Sequence, residues 1–186
     1  MNTATGVLRQ EHDAILRMLE VAEEAARRLD RGENVPADTL AGLLEFFRLF
    51  ADRCHHGKEE DLLFPLLEKK GLPRAGGPIG VMLDEHEQGR SLVRQMAAAA
   101  EDYGKSDSTA RRRWAEAARG YADLLRQHIH KENNVLFMVA ESLLTDAEQA
   151  ELARAFERVE EEKLGPGTHE RLHALMDRLA AQVLAP

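Results

Sequence analysis

Two segments of the chain, HHGKEEDLLF beginning at His55 and HIHKENNVLF beginning at His128, superpose without a gap. The superposition aligns His55 with His128 and Glu59 with Glu132, and sets Leu62, Leu63 and Phe64 against Val135, Leu136 and Phe137. Each copy spells His-x-x-x-Glu. That spacing puts an imidazole and a carboxylate on one helix face, about 6 Å apart along the axis, where both can reach one metal ion or two adjacent ones. Two copies supply two carboxylates, each able to bridge a metal pair. The neighbouring residues lack this correspondence, since His56 aligns with Ile129 and Glu60 with Asn133. Lys58, Glu60 and Asp61 are therefore expected on the solvated side, with Leu62, Leu63 and Phe64 continuing the core.

The elements that must position these residues are helices. Ala, Leu, Glu and Arg dominate, and Gly and Pro cluster at breaks near residues 30–38, 70–80, 102–109, 142–149 and 163–170. Four long segments precede a shorter pair, which predicts an all-α protein: a four-helix bundle over 1–142 with a carboxy-terminal helical extension of one or two helices over 143–186. In the first segment Leu8, His12, Ile15, Leu19, Ala22, Ala26 and Leu29 form one stripe. The second stripe runs Leu44, Phe47, Ala51, His55, Glu59, Leu62 and Leu66; the third holds Ile79, Met82, His86, Val93, Met96 and Ala100. The fourth reads Trp114, Ala118, Tyr121, Leu125, His128, Glu132, Val135 and Val139.

Every long helix thus carries a histidine on its buried stripe, and two carry a glutamate. A single core histidine is most simply a hydrogen-bonded packing residue; six polar groups on four helices require more. Two ionised carboxylates without partners would each cost several kcal/mol, against a total stability of about 5–15 kcal/mol. No lysine or arginine lies on these stretches of seam, although Arg90, one turn beyond His86, could pair with one glutamate. A bound cation would satisfy His12, His55, Glu59, His86, His128 and Glu132 together. Nitrogen and oxygen donors without sulfur suit iron, manganese or zinc. Their histidine richness, unlike the Glu-x-x-His sets of carboxylate-rich bundles, favours reversible ligand binding over oxygen activation.

Cys54 is the only cysteine, which suits a reducing compartment and leaves no cysteine-based zinc or iron–sulfur site within one chain. No segment resembles a secretory signal and no apolar run approaches the roughly 18 residues of a spanning helix, so a soluble cytoplasmic protein without a membrane partner is expected. A net charge of −8 argues against nucleic-acid binding, and Arg111, Arg112 and Arg113 read as a solvated face. His130 is expected at the surface, and Cys54 as a buried, inert thiol.

The motifs EHDAIL with His12, HHGKEEDLLFP with His55 and Glu59, DEHEQGR with His86, and HIHKENNVLF with His128 and Glu132 occur in the order and separation of a known family. Over about residues 7–140 the chain resembles the hemerythrin-like (HHE cation-binding) proteins. The resemblance implies an up-down-up-down bundle enclosing an oxo- or hydroxo-bridged di-iron centre. It further implies reversible binding of dioxygen, sensing of oxygen or iron, or a response to nitric oxide or peroxide.

One departure stands out. Hemerythrin proper uses five histidines and two carboxylates, with His-x-x-x-His on the third helix, whereas Met82 and Arg90 flank His86 here. Candidates for the absent ligand are His56, whose position binds metal in some hemerythrin-like proteins, and His169 or His173, which could cap the open end of the bundle. A metal- and oxygen-binding protein is expected more than an enzyme. The alternative is iron homeostasis or iron–sulfur repair, disfavoured because such relatives often carry a cysteine-containing leading segment and His12 lies eleven residues into this chain. Remotely, HERLH at His169 to His173 spells the H-E-x-x-H of zinc metalloproteases.

Overall fold

Short polar side chains and glycines decide where the helices begin and end. Thr3 accepts a hydrogen bond from the Gly6 amide ahead of helix α1 (Ala4–Asp30). Past Pro36 a second rod, α2, runs unbroken from Ala37 to Lys69. It is α-helical over Ala37–Phe46, π-helical over Phe47–His56 and Glu59–Leu63, and α-helical again over Phe64–Lys69. Helix α3 spans Pro78–Gly104. The fourth rod, α4, is α-helical over Ala110–Lys131, π-helical over Glu132–Leu136 and α-helical over Phe137–Leu143. Thr145 and Glu148 form a reciprocal capping box that starts α5 (Asp146–Leu164). Gly165 and Gly167, at φ of 80° and 74°, take the left-handed conformation that a side chain resists, and turn the chain into α6 (Thr168–Val183). The computed structural model describes residues 3–104 and 109–184, so the middle of the expected break at 102–109 lies outside the described residues. The described residues contain no strand, and none of their helices is long and apolar enough to cross a membrane.

Two apolar clusters form the core. One gathers Ile15, Leu19, Phe47, Trp114, Tyr121 and Leu125 with Leu172, Leu175 and Leu179 of α6. The other gathers Leu8, Leu63, Phe64, Met82, Leu136 and Phe137 with Leu152 and Phe156 of α5. Along α1, α2 and α4 the seam histidines and glutamates fall between the residues that enter the two clusters. A polar layer therefore lies between two apolar ones, and α5 and α6 each cover one of them.

The π-helical stretches correct the expected register. Leu63 and Phe64 are buried in the core as expected, but the stripe that sets Leu62, Leu66, Val135 and Val139 on the seam does not hold: Leu67, Leu136, Phe137 and Ala140 are buried, while Leu62 and Leu66 are only partly so and Val135 is 54% exposed. A π turn takes one more residue than an α turn, so the buried face advances by one position after each seam glutamate.

Candidate metal centre

His12, His55, Glu59, His86, His128 and Glu132, drawn from four helices, meet in one buried cluster, and His56 joins them. Their inward atoms fall into overlapping groups whose members lie within 4.8 Å of one another: His12, His55, Glu59 and Glu132; Glu59, His86, His128 and Glu132; and His56, His86 and His128. The two carboxylates are common to both sides. Glu132 lies 3.1 Å from His12 Nε2 and 3.3 Å from His128 Nε2; Glu59 lies 3.7 Å from His55 Nε2 and 3.4 Å from His86 Nε2. The His86 and His128 Nε2 atoms approach to 3.1 Å, and the His56 and His86 rings stack at 3.8 Å between centroids.

All five rings turn Nε2 inward because an oxygen holds Nδ1 outward. His12 Nδ1 donates to Asn133 Oδ1 (2.9 Å), His55 to Glu11 (2.8 Å), His56 to Asp52 (3.4 Å), His86 to Glu60 (2.7 Å) and His128 to Glu85 (3.0 Å). Such bonds fix the tautomer that leaves a lone pair on Nε2. Cations in turn hold most of the acceptors. Lys58 binds Glu11 and, at 2.9 Å, Glu160; Arg90 binds Asp52 (2.8 Å) and Glu60 (2.7 Å); Lys131 binds Glu85.

These contacts revise two expectations. Lys58 is buried, 1% exposed, because it neutralises Glu11 beneath His55, and Glu60 is half-buried as the anchor of His86; only Asp61 is exposed. Arg90 pairs with Asp52 and Glu60, not with a seam glutamate. Glu11, Asp52, Glu60, Glu85, Asn133 and Lys58 went unrecognised in the stripes. The usable signal was adjacency: Glu11, Glu60, Glu85 and Asn133 each sit next to a seam histidine or glutamate. His130 is exposed, and Cys54 is buried with its thiol pushed up to about 12 by burial. His169 and His173 are not brought into the cluster; they adjoin each other and Phe50 on a separate cavity.

The cluster is unsatisfied without a guest. His12, His55 and His56 Nε2 and all four oxygens of Glu59 and Glu132 are buried with no hydrogen-bond partner, an arrangement that folded proteins avoid. Burial holds His55, His56 and His86 well below or below the usual histidine range, so they are neutral donors near pH 7. Burial and the facing Glu132 push Glu59 well up. Neutral imidazoles and closely apposed carboxylates with open lone pairs are the donor set of a first-row metal site, and the residues present fit one.

The sequence matches a family model described as the hemerythrin HHE cation binding domain over residues 3–140. An uncharacterized protein of Mycobacterium tuberculosis is 28% identical over 88% of this chain and 63% of its own, so the chain spans less than two thirds of that relative. The iron-sulfur cluster repair protein YtfE of Dickeya chrysanthemi is 29% identical over 70% of this chain and 61% of its own. The iron-sulfur cluster repair protein DnrN of Neisseria gonorrhoeae is 28% identical over 73% and 87% respectively. With the family model covering well over half of its length, the chain belongs to the hemerythrin family of HHE cation-binding domains.

Proposed function

We propose that the chain is a non-haem di-iron protein that binds or senses dioxygen or a related small ligand such as nitric oxide or peroxide. One observation carries this reading: five imidazoles and two carboxylates aim into a single buried space, and those seven side chains include seven inward atoms without a protein partner. His12 and His55 would hold one iron and His56, His86 and His128 the other, with Glu59 and Glu132 shared and an oxo or hydroxo bridge between the metals. The first iron would then have four protein donors and the second five, leaving more room for a small ligand beside His12 and His55. Bound iron supplies reversible one-electron chemistry and a coordination position for that ligand. The chain fixes the imidazole tautomers through Glu11, Asp52, Glu60, Glu85 and Asn133, balances their charge through Lys58, Arg90 and Lys131, and excludes bulk water with the apolar layers on either side.

In this reading residues 1–142 form an up-down-up-down bundle and 143–186 an extension packed on it, in the reducing cytoplasm that a lone cysteine suits. A second reading, iron–sulfur cluster repair or iron homeostasis, is favoured by the two relatives with repair names. Metal analysis with an optical spectrum of the reduced protein before and after air separates the possibilities. Two irons and a reversible dioxygen band support binding or sensing, and irreversible oxidation with peroxide turnover supports an enzyme. Reactivation of a damaged iron–sulfur enzyme supports repair, and a single zinc would sink all three.

A further inference from the structure

Five of the eight histidines belong to the centre, and His130 is exposed beside Asn134. The remaining two stand one turn apart on α6, on the wall of a cavity of about 590 Å³ bounded by α1, α2, α5 and α6. Both are half-buried, and Phe50 sets them in place, with ring centroids 6.0 Å from His169 and 5.8 Å from His173. Their Nε2 atoms face each other at 3.3 Å. That separation equals the bite of a tetrahedral cation, since two nitrogens each about 2.0–2.1 Å from the metal stand about 3.3 Å apart.

We propose that His169 and His173 form an accessory site for a divalent first-row transition cation, bound through both Nε2 atoms and separate from the buried centre. Glu160 lies behind the pair, its Oε1 3.7 Å from His169 Nδ1 while Oε2 is engaged by Lys58. This repeats, more loosely, the carboxylate–imidazole arrangement that orients the centre's ligands. The remaining coordination positions open on the cavity, so water completes the shell and the ion exchanges with solvent. Glu160, Lys58 and Glu11 then connect this wall to His55 by successive polar contacts.

The test is titration of the iron-loaded protein with cobalt(II), followed by the visible bands of tetrahedral cobalt, with iron content measured in parallel. One cobalt should bind per chain with those bands. His169→Ala and His173→Ala should each weaken it by about tenfold or more, leaving iron content and the iron spectrum unchanged, and His130→Ala should bind as the parent does. His173→Asn, polar and of similar size, replaces the alanine variant if that does not fold. No cobalt uptake by the parent, or equal uptake by the histidine variants, would overturn the site and leave a histidine–histidine hydrogen bond in its place. Iron content reports on the centre independently, so failure of either reading is visible by itself.

Discussion

Each histidine of the centre is oriented by one particular oxygen, and four of the five oxygens come from a different helix. Glu11, beside His12, serves His55; Asn133, beside Glu132, serves His12; Glu60, beside Glu59, serves His86; and Glu85, beside His86, serves His128. Only Asp52 serves a histidine of its own helix, His56. Graded mutational effects follow. Glu59→Gln removes a shared carboxylate and should lose much of the metal, whereas Glu60→Gln should retain it with affinity weakened about 10–100-fold through a poorly anchored His86. Metal content after dialysis against graded chelator distinguishes the two, and equal effects would undo the assignment of roles. Lys58→Met strips Glu11 of its buried cation and should destabilise the fold by about 3–5 kcal/mol in urea unfolding. The seam histidines and glutamates were legible because same-helix spacing fixes them. Their anchors were not, because a partner across a helix interface leaves no spacing in one sequence; Glu60 and Asn133 do align in the repeat, yet their unlike chemistry hid a shared task.

Of the three π-helical stretches, two, Glu59–Leu63 and Glu132–Leu136, begin at the two shared glutamates. Helix existence and breaks were readable from composition and from glycine and proline, and the stripes held in α1 and up to each glutamate. Beyond Glu59 and Glu132 the stripe slipped by one residue, although the repeat had placed Leu63 and Phe64 in the core, because a 3.6-residue period carries no signal for an inserted turn of another pitch. Substitution tests the shift. Val135→Lys should change stability by less than about 0.5 kcal/mol, while Leu136→Ala should cost about 2–5 kcal/mol; the reverse order in denaturant midpoints would restore the uninterrupted α register. The start of α5 adds a pH dependence. Hydrogen bonds from Lys70 and Thr145 hold Glu148 down to about 2, below its ordinary 4.5. A lowered carboxylate stabilises above its unfolded value and loses that contribution as pH falls through the folded one. The advantage of the parent over Glu148→Gln should therefore be full above pH 4.5 and vanish toward pH 2, as read from urea midpoints across that range.

At the scale of the whole molecule, the polar layer places stability and function in opposition. Buried, unpartnered nitrogens and carboxylate oxygens each cost about 1–3 kcal/mol, a considerable load on a fold of ordinary stability, and the apolar clusters on either side must carry it when no metal is bound. Metal that binds only the folded state stabilises by about 2.7 kcal/mol at a free concentration one hundred times Kd. Chelation should therefore lower the melting temperature, and added ferrous iron under anaerobic conditions should restore it. A structural role for the carboxylates could produce part of that response, so the decisive comparison removes the charges. Replacing buried ionic groups with apolar residues of similar volume is often neutral or stabilising by about 1–4 kcal/mol. The Glu59→Met, Glu132→Met double variant should then match or exceed the metal-free parent in urea unfolding, and should not respond to chelator or iron. A double variant several kcal/mol weaker than the metal-free parent would mean that Glu59 and Glu132 hold the bundle together by themselves. Equal or greater stability, with the metal response abolished, would show that the fold bears these two residues for the ions they bind.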